Sequence, residues 1–125
     1  MAQGNSSALM VDIQGAYDNV NFEKLTQIMR DLNFPEAMIR WTSHFTTQRT
    51  TTLVTHNNIV TKQMKVKMGI PQGSPASGLL FIIYTTLLIR SLNANCNVKS
   101  VGYMDDWTLY YTGNDFEKNT SEIEL

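Results

Sequence analysis

Tyr103-Met104-Asp105-Asp106 lies between two strand-like segments, residues 98–101, with Val at both ends, and the aromatic-rich residues 107–111. Short runs of this kind are typical of β-strands, so the two adjacent carboxylates are predicted at the tip of a tight β-hairpin. Like charges side by side repel each other, and an ordinary hairpin gains nothing from them. A divalent cation would remove that cost, so the hairpin predicts a metal site if the rest of the chain supplies a further carboxylate.

The composition indicates one globular domain with one core: 125 residues, 42% of them hydrophobic. The net charge of −1 provides no broad basic field, so any contact with nucleic acid must be local. Cys96 is the single cysteine, which excludes an intrachain disulfide and gives no sign of a zinc site. We therefore expect an intracellular protein, either nuclear or cytoplasmic.

The N-terminal sequence is polar and has no features of a signal peptide. The most apolar run, Leu79 to Ile89, is shorter than the roughly 20 residues that span a bilayer. It is therefore predicted to be a buried core helix, and no membrane partner is expected.

Apolar periodicity predicts the element order β-α-α-β-β-α-β-β. The first strand covers residues 8–13, and a helix follows with Asn21 as its N-cap. A second helix from about Pro35 is predicted to bury the face made by Phe34, Met38, Trp41 and Phe45. Strands at 50–55 and 64–68 form an inserted hairpin, and a long helix, capped by Ser74 or Ser77, ends near Asn93.

This order predicts an α+β fold in which helices pack on one face of a small antiparallel sheet. The polar tail, residues 113–125, is expected to be frayed.

Asp12 comes near the end of the first predicted strand. If that strand lies beside the hairpin, Asp12, Asp105 and Asp106 meet at one edge of the sheet. Three carboxylates can hold two Mg²⁺ ions, and two metals stabilise both oxygens of an in-line phosphoryl displacement. A turn cap or a solvated carboxylate remains the alternative for each of these residues.

Two glycine-containing loops offer room for a ligand. Gly15 and Ala16 are small enough to let a ligand approach the backbone, and Tyr17 then presents an aromatic face. Gln72 and Gly73 precede the long helix, whose N-terminus favours an anion. A core role for Tyr17 and an ordinary Gly/Pro loop at 69–75 remain the alternatives.

Together these stretches resemble three motifs of the reverse transcriptase palm, which has a ferredoxin- or RRM-like core. Asp12 to Asp18 resembles motif A, residues 69–77 with Leu79-Leu80-Phe81 resemble motif B, and Tyr103 to Asp106 resembles motif C. Three motifs in the right order are a specific signal, and the likeness covers residues 8–111. The Ala-Tyr-Asp ending of motif A, the Pro-Gln-Gly-Ser-Pro string and the segment 41–49 resemble non-LTR retrotransposons and group II intron relatives.

The resemblance implies an RNA-directed DNA polymerase from a retroelement, with an RNA template, a DNA primer, deoxynucleoside triphosphates and two Mg²⁺ ions, or Mn²⁺ in their place. It implies that Tyr17 is the steric gate against a 2′-hydroxyl. The implied catalytic residues are Asp12, Asp105 and Asp106, which bind metal together with the carbonyl of Ile13. The implied nucleotide and template contacts are Gly15, Ala16, Tyr17, Gln72 and Gly73.

The sequence departs from the family pattern at several positions. Met104 stands where non-LTR enzymes usually have Ala, and Ala76 and Gly78 stand where motif B usually has Leu and Pro. Residues 1–125 are expected to be a partial domain of a larger polyprotein, without its fingers, thumb and endonuclease, and weakly active or inactive alone. Two other functions stay open: an inert remnant that serves as a binding or scaffold module, and an RRM-like domain whose sheet aromatics stack on RNA bases.

Overall fold

The computed structural model describes residues 5–55, 62–94 and 98–123, so Cys96 lies outside the described residues. Strands β1, β5 and β4 form an antiparallel sheet in that order, and β2 pairs with β3. The predicted α+β class, with its small antiparallel sheet, helices and inserted hairpin, is confirmed, although β2 and β3 are shorter than expected. The elements are β1 (Asn5–Asp12), α1 (Phe22–Asp31), α2 (Glu36–Thr47), β2 (Thr50–Thr51), β3 (Met64–Lys65), α3 (Pro75–Ala94), β4 (Val98–Tyr103), β5 (Asp106–Gly113) and α4 (Phe116–Ile123).

The chain divides into two compact units. The helical unit is Tyr17–Tyr84, and the sheet unit consists of the described residues of Met1–Ala16 and Thr85–Leu125. Helix α3 contributes its first half to the helical unit and its second half to the sheet unit.

One face of the three-stranded sheet is covered and the other is open. On the covered face Val98, Leu109 and Ile123 form a buried cluster, and α4 packs against β5 and β1. Side chains alternate between the two faces along a strand, and directly paired residues share a face. Met10 and Val101, whose partner on β5 is Thr108, therefore lie on the opposite face, where they are 83% and 59% exposed.

The tail differs from the expectation of fraying, because residues 116–123 form helix α4. The Asp115 carboxylate accepts the N–H of Glu117 at 3.1 Å, which caps the first turn. Asn119 is fully buried, and its Nδ2 donates to the carbonyl of Asn5 at 2.9 Å. Asn119 and Ile123, four residues apart, are buried on one side of α4. Because only one of these two residues is apolar, the polar composition of the tail does not indicate a buried helix.

Helix α1 follows the sequence prediction closely. The side chain of Asn21 accepts the N–H of Lys24 at 3.0 Å, so the predicted N-cap is confirmed. Leu25 and Met29 are the buried residues of this helix. After α1 ends, Asn33 has a positive φ of 58°, a conformation that Asn tolerates better than most residues.

The buried face predicted for α2 is wrong. Ile39, Thr42 and Thr46 are the buried residues, whereas Trp41 is 53% exposed and stacks on Phe45 with ring centroids 5.0 Å apart. The hydroxyl of Thr46 donates to the Thr42 carbonyl at 2.9 Å, so its burial leaves no unpaired hydroxyl group. A stripe of short β-branched residues therefore packs inward, and the bulkier Met38 and Trp41 remain outside.

Helix α3 is the one described helix that is long and apolar enough to cross a membrane, by length and composition alone. It has 20 residues, more than the apolar run recognised in the sequence. The core helix of a soluble protein passes the same test, and Leu80, Phe81 and Ile83 are buried here. Only 28% of the apolar window is buried, however, so the prediction of a buried core helix holds for one part of α3 and is wrong for the rest. The absence of a membrane partner therefore stays a prediction.

Candidate active site

The strand that carries Asp12 lies beside the Asp-Asp hairpin. Asp12 is the last residue of β1 and is paired directly with Asp106, the first residue of β5. The N–H of Ile13 donates to the carbonyl of Asp105 at 3.1 Å. The backbones of the three aspartates therefore meet at one end of the sheet.

The hairpin turn consists of Met104 and Asp105, because Tyr103 and Asp106 are paired. Met104 has a φ of 55°, whereas Asp105 has no positive φ. This is the φ pattern of a type II′ turn, in which the first central position favours glycine. A non-glycine residue there costs about 1–3 kcal/mol, so the neighbouring structure must hold the turn.

Asp12 and Asp106 line a pocket of about 240 Å³ together with Met10, Val11, Trp107 and Thr108. Both carboxylates are exposed, and their oxygens are the hard ligands that Mg²⁺ prefers. Among the described residues, no group of three or more His, Cys, Asp or Glu is arranged to hold a metal. The pair nevertheless fits Mg²⁺ chemically, because this ion often takes one or two carboxylates and completes its shell with water and substrate phosphates.

The turn after β1 requires the glycine found there. Gly15 has a φ of 63°, which a residue with a Cβ adopts at a cost. Ala16 is 7% exposed, so its small side chain is packed against the protein.

In the helical unit, the loop before α3 is attached to residues 17–20. The N–H of Gly69 donates to the Val20 carbonyl at 2.9 Å, and that of Ile70 donates to the Tyr17 carbonyl at 2.8 Å. Gly69 has a φ of 85°, and a Cβ there would lie 2.7 Å from the Asp18 carbonyl oxygen. The sequence indicates a glycine-containing loop at this place, and the structure shows that the missing Cβ of Gly69 allows close packing against the backbone of Asp18.

Arg49 also holds this loop and was missed as a structural residue in the sequence. Its Nη1 donates to the Gly69 carbonyl at 2.7 Å. An arginine just before a strand carries no local signal for such a contact, since its partner is 20 residues away.

Tyr17 is half-buried, and its ring stacks on Phe81 of α3 with centroids 5.1 Å apart. Gln72 and Gly73 are exposed. Gly73 has a φ of 85°, and nothing lies within 4 Å of a Cβ built there, so a ligand could approach its backbone. These residues belong to the helical unit, and the three aspartates belong to the sheet unit.

Comparison with known proteins agrees with the motifs. Residues 1–123 match the family model described as reverse transcriptase (RNA-dependent DNA polymerase). The chain is 32% identical over 104 residues to the putative 115 kDa protein in type-1 retrotransposable element R1DM of Drosophila melanogaster. This match covers 83% of this chain and 10% of that protein. The chain belongs to the reverse transcriptase family.

The fold also has a counterpart among solved structures. It is similar to apo telomerase from Candida tropicalis, truncated from its C-terminal domain, with a TM-score of 0.68 and 17% identity. The match covers 94% of this chain and 26% of the telomerase chain. At this identity the likeness shows the fold, and the chain spans a minor part of both proteins.

Proposed function

We propose that this chain carries the two-metal nucleotidyl-transfer site of a retroelement's RNA-directed DNA polymerase. The observation that carries the proposal is the direct pairing of Asp12 with Asp106, next to Asp105, at an open end of the sheet. An intracellular location, nuclear or cytoplasmic, belongs to the same proposal.

In this proposal Asp12, Asp105 and Asp106 hold two divalent ions, with the carbonyl of Ile13 as a further oxygen ligand. When bound, two Mg²⁺ ions would stabilise the attacking and leaving oxygens of an in-line phosphoryl displacement. The aspartates place these charges, and Mn²⁺ offers a similar preference for oxygen ligands.

The nucleotide and template contacts are proposed for Gly15, Ala16, Tyr17, Gln72 and Gly73. Stacking on Phe81 would hold the Tyr17 ring in one orientation, as a steric gate against a 2′-hydroxyl requires. The open space over Gly73 suits close approach of a nucleotide to the backbone.

Primer extension tests this proposal in a longer protein that contains the chain, with an RNA template, a DNA primer and Mg²⁺ or Mn²⁺. Asp105→Ala is expected to abolish extension, whereas Asp31→Asn, at an exposed position in α1, is expected to leave it intact. Equal extension by the Asp105→Ala variant would exclude the assignment. The 125-residue chain alone is expected to extend primers weakly or not at all.

A second candidate function is RNA binding by the open face of the sheet. Tyr103 is 76% exposed there, on the same face as the exposed Val101 and Met10, and aromatic side chains on a sheet can stack on bases. RNA binding that survives replacement of all three aspartates by Asn would favour this function. The same result is expected if the chain is a catalytically inert binding module. Loss of RNA binding in Tyr103→Ala would place the RNA-binding surface on this face of the sheet. Tyr110→Ala, which changes a second tyrosine on the same face, serves as the comparison.

A further inference from the structure

Both carbonyl groups of the hairpin turn accept hydrogen bonds from residues outside the turn. Nε1–H of Trp107 donates to the Met104 carbonyl at 3.1 Å. The N–H of Ile13 donates to the Asp105 carbonyl at the same distance. The two peptide units that precede Asp105 and Asp106 are therefore held from two directions.

The indole of Trp107 has little freedom to move. Trp107 is 5% exposed and is paired with Gly102 across the hairpin. A Cβ on Gly102 would lie 3.0 Å from Cε2 and 3.2 Å from Cδ2 of the indole, so the ring occupies the space that a side chain would take. The absence of a side chain at residue 102 thus allows the indole to reach the turn.

The turn needs such support because Met104 has a φ of 55°. A non-glycine residue keeps this conformation only where its surroundings over-determine it. The indole hydrogen bond is one such constraint, and it acts on Met104 itself.

We propose that Trp107 is a positioning residue that fixes the turn and thereby orients Asp105 and Asp106 for divalent cations. The inference rests on the proposed metal site and assigns it a supporting residue. Mg²⁺ demands near-ideal octahedral geometry, so a small rotation of the turn would weaken its binding. Trp107 contacts no substrate in this scheme and acts through the backbone of Met104.

The test compares Trp107→Phe with Trp41→Phe in the 125-residue chain. Phe keeps an aromatic ring but loses the N–H donor, and Trp41 is an exposed tryptophan in the helical unit. Titration with Mn²⁺, followed by calorimetry, is expected to show roughly three- to tenfold weaker binding for Trp107→Phe, as loss of one hydrogen bond predicts. Trp41→Phe is expected to bind Mn²⁺ like the unchanged chain.

A rescue variant separates positioning from general destabilisation. Glycine adopts a positive φ without strain, so Met104→Gly in the Trp107→Phe background is expected to restore most of the Mn²⁺ affinity. If Trp107→Phe does not fold, Gly102→Ala displaces the indole by a smaller change and is expected to weaken Mn²⁺ binding in the same way.

A third measurement does not depend on metal. Amide hydrogen exchange at residues 103–106 is expected to be at least threefold faster in Trp107→Phe, and unchanged in Trp41→Phe. Unchanged exchange, or unchanged Mn²⁺ affinity in Trp107→Phe, would overturn the role of Trp107 and leave the metal site standing. If the unchanged chain binds no Mn²⁺, the proposed site and the positioning role are overturned together.

Discussion

Asp12 and Asp106 face each other on adjacent antiparallel strands, and both side chains are exposed. The Cβ atoms of directly opposed residues lie about 4.5–5.5 Å apart, a separation at which like charges destabilise a sheet. The fold therefore carries a local electrostatic cost at this end of β1 and β5. A divalent cation bound between the two carboxylates would replace this repulsion with a net electrostatic attraction.

Asp12→Asn is expected to raise the free energy of unfolding by roughly 0.2–1 kcal/mol in the presence of EDTA, because it removes a like-charge pair. Millimolar Mn²⁺ is expected to stabilise the unchanged chain by mass action and to leave Asp12→Asn nearly unaffected. Urea unfolding with and without Mn²⁺ measures both effects. Asp31→Asn serves as the control, and an equal response of the two variants to Mn²⁺ would contradict the prediction.

Gly69→Ala is expected to be more destabilising than Gly73→Ala by about 1–3 kcal/mol, the usual cost of overpacking. Both glycines have a φ of 85°, so the strain of a positive φ acts on both variants. A Cβ at residue 69 meets the Asp18 backbone, whereas one at residue 73 meets nothing within 4 Å. Thermal unfolding of the two variants isolates the contact, and similar losses would show that Gly69 does not pack against Asp18.

Arg49→Met is expected to lower the free energy of unfolding by about 1.5–3 kcal/mol, because it removes a charged donor from the buried Gly69 carbonyl. Arg40→Met removes an exposed charge on α2 and is expected to change stability by less than about 0.5 kcal/mol. Chemical unfolding of both variants gives the comparison. If the two losses are equal, Arg49 does not hold the loop before α3.

Ile123→Ala is expected to cost about 2–5 kcal/mol, since it opens a cavity against Val98 and Leu109. Ile82→Ala makes the same change at a side chain that is 48% exposed, and a loss below about 0.5 kcal/mol is expected there. Calorimetric unfolding distinguishes the two. A small loss for Ile123→Ala would mean that α4 contributes little to the sheet unit.

The sequence predicts those features that depend on local chemistry. The Asn21 cap requires one side chain and a backbone N–H three residues away. The hairpin requires two segments with the residue pattern of β-strands on either side of a short turn. The pairing of Asp12 with Asp106 also follows a simple rule, because residues that end neighbouring strands come together. These features need little knowledge of distant contacts.

Features that depend on distant packing are not visible in the sequence. The buried stripe of α2 runs through Thr42 and Thr46, which periodicity counts as polar, while the aromatic Trp41 is outside. Helix α4 is held by the contact of Asn119 with Asn5, at the other end of the described chain. The support that Trp107 gives to the turn depends on the positive φ of Met104 and on the missing side chain of Gly102. Residue types alone predict neither the φ nor the contact.

The pairing of β1 with β5 places a constraint on length as well as on residue identity. Because side chains alternate between faces, inserting or deleting a single residue within β1 would move Asp12 to the covered face or out of line with Asp106. Substitutions at exposed positions such as Met10 leave this count unchanged. Among diverging copies of such a retroelement, the loss or gain of one codon within β1 or β5 is therefore expected to inactivate the site more often than an amino-acid substitution at an exposed position does.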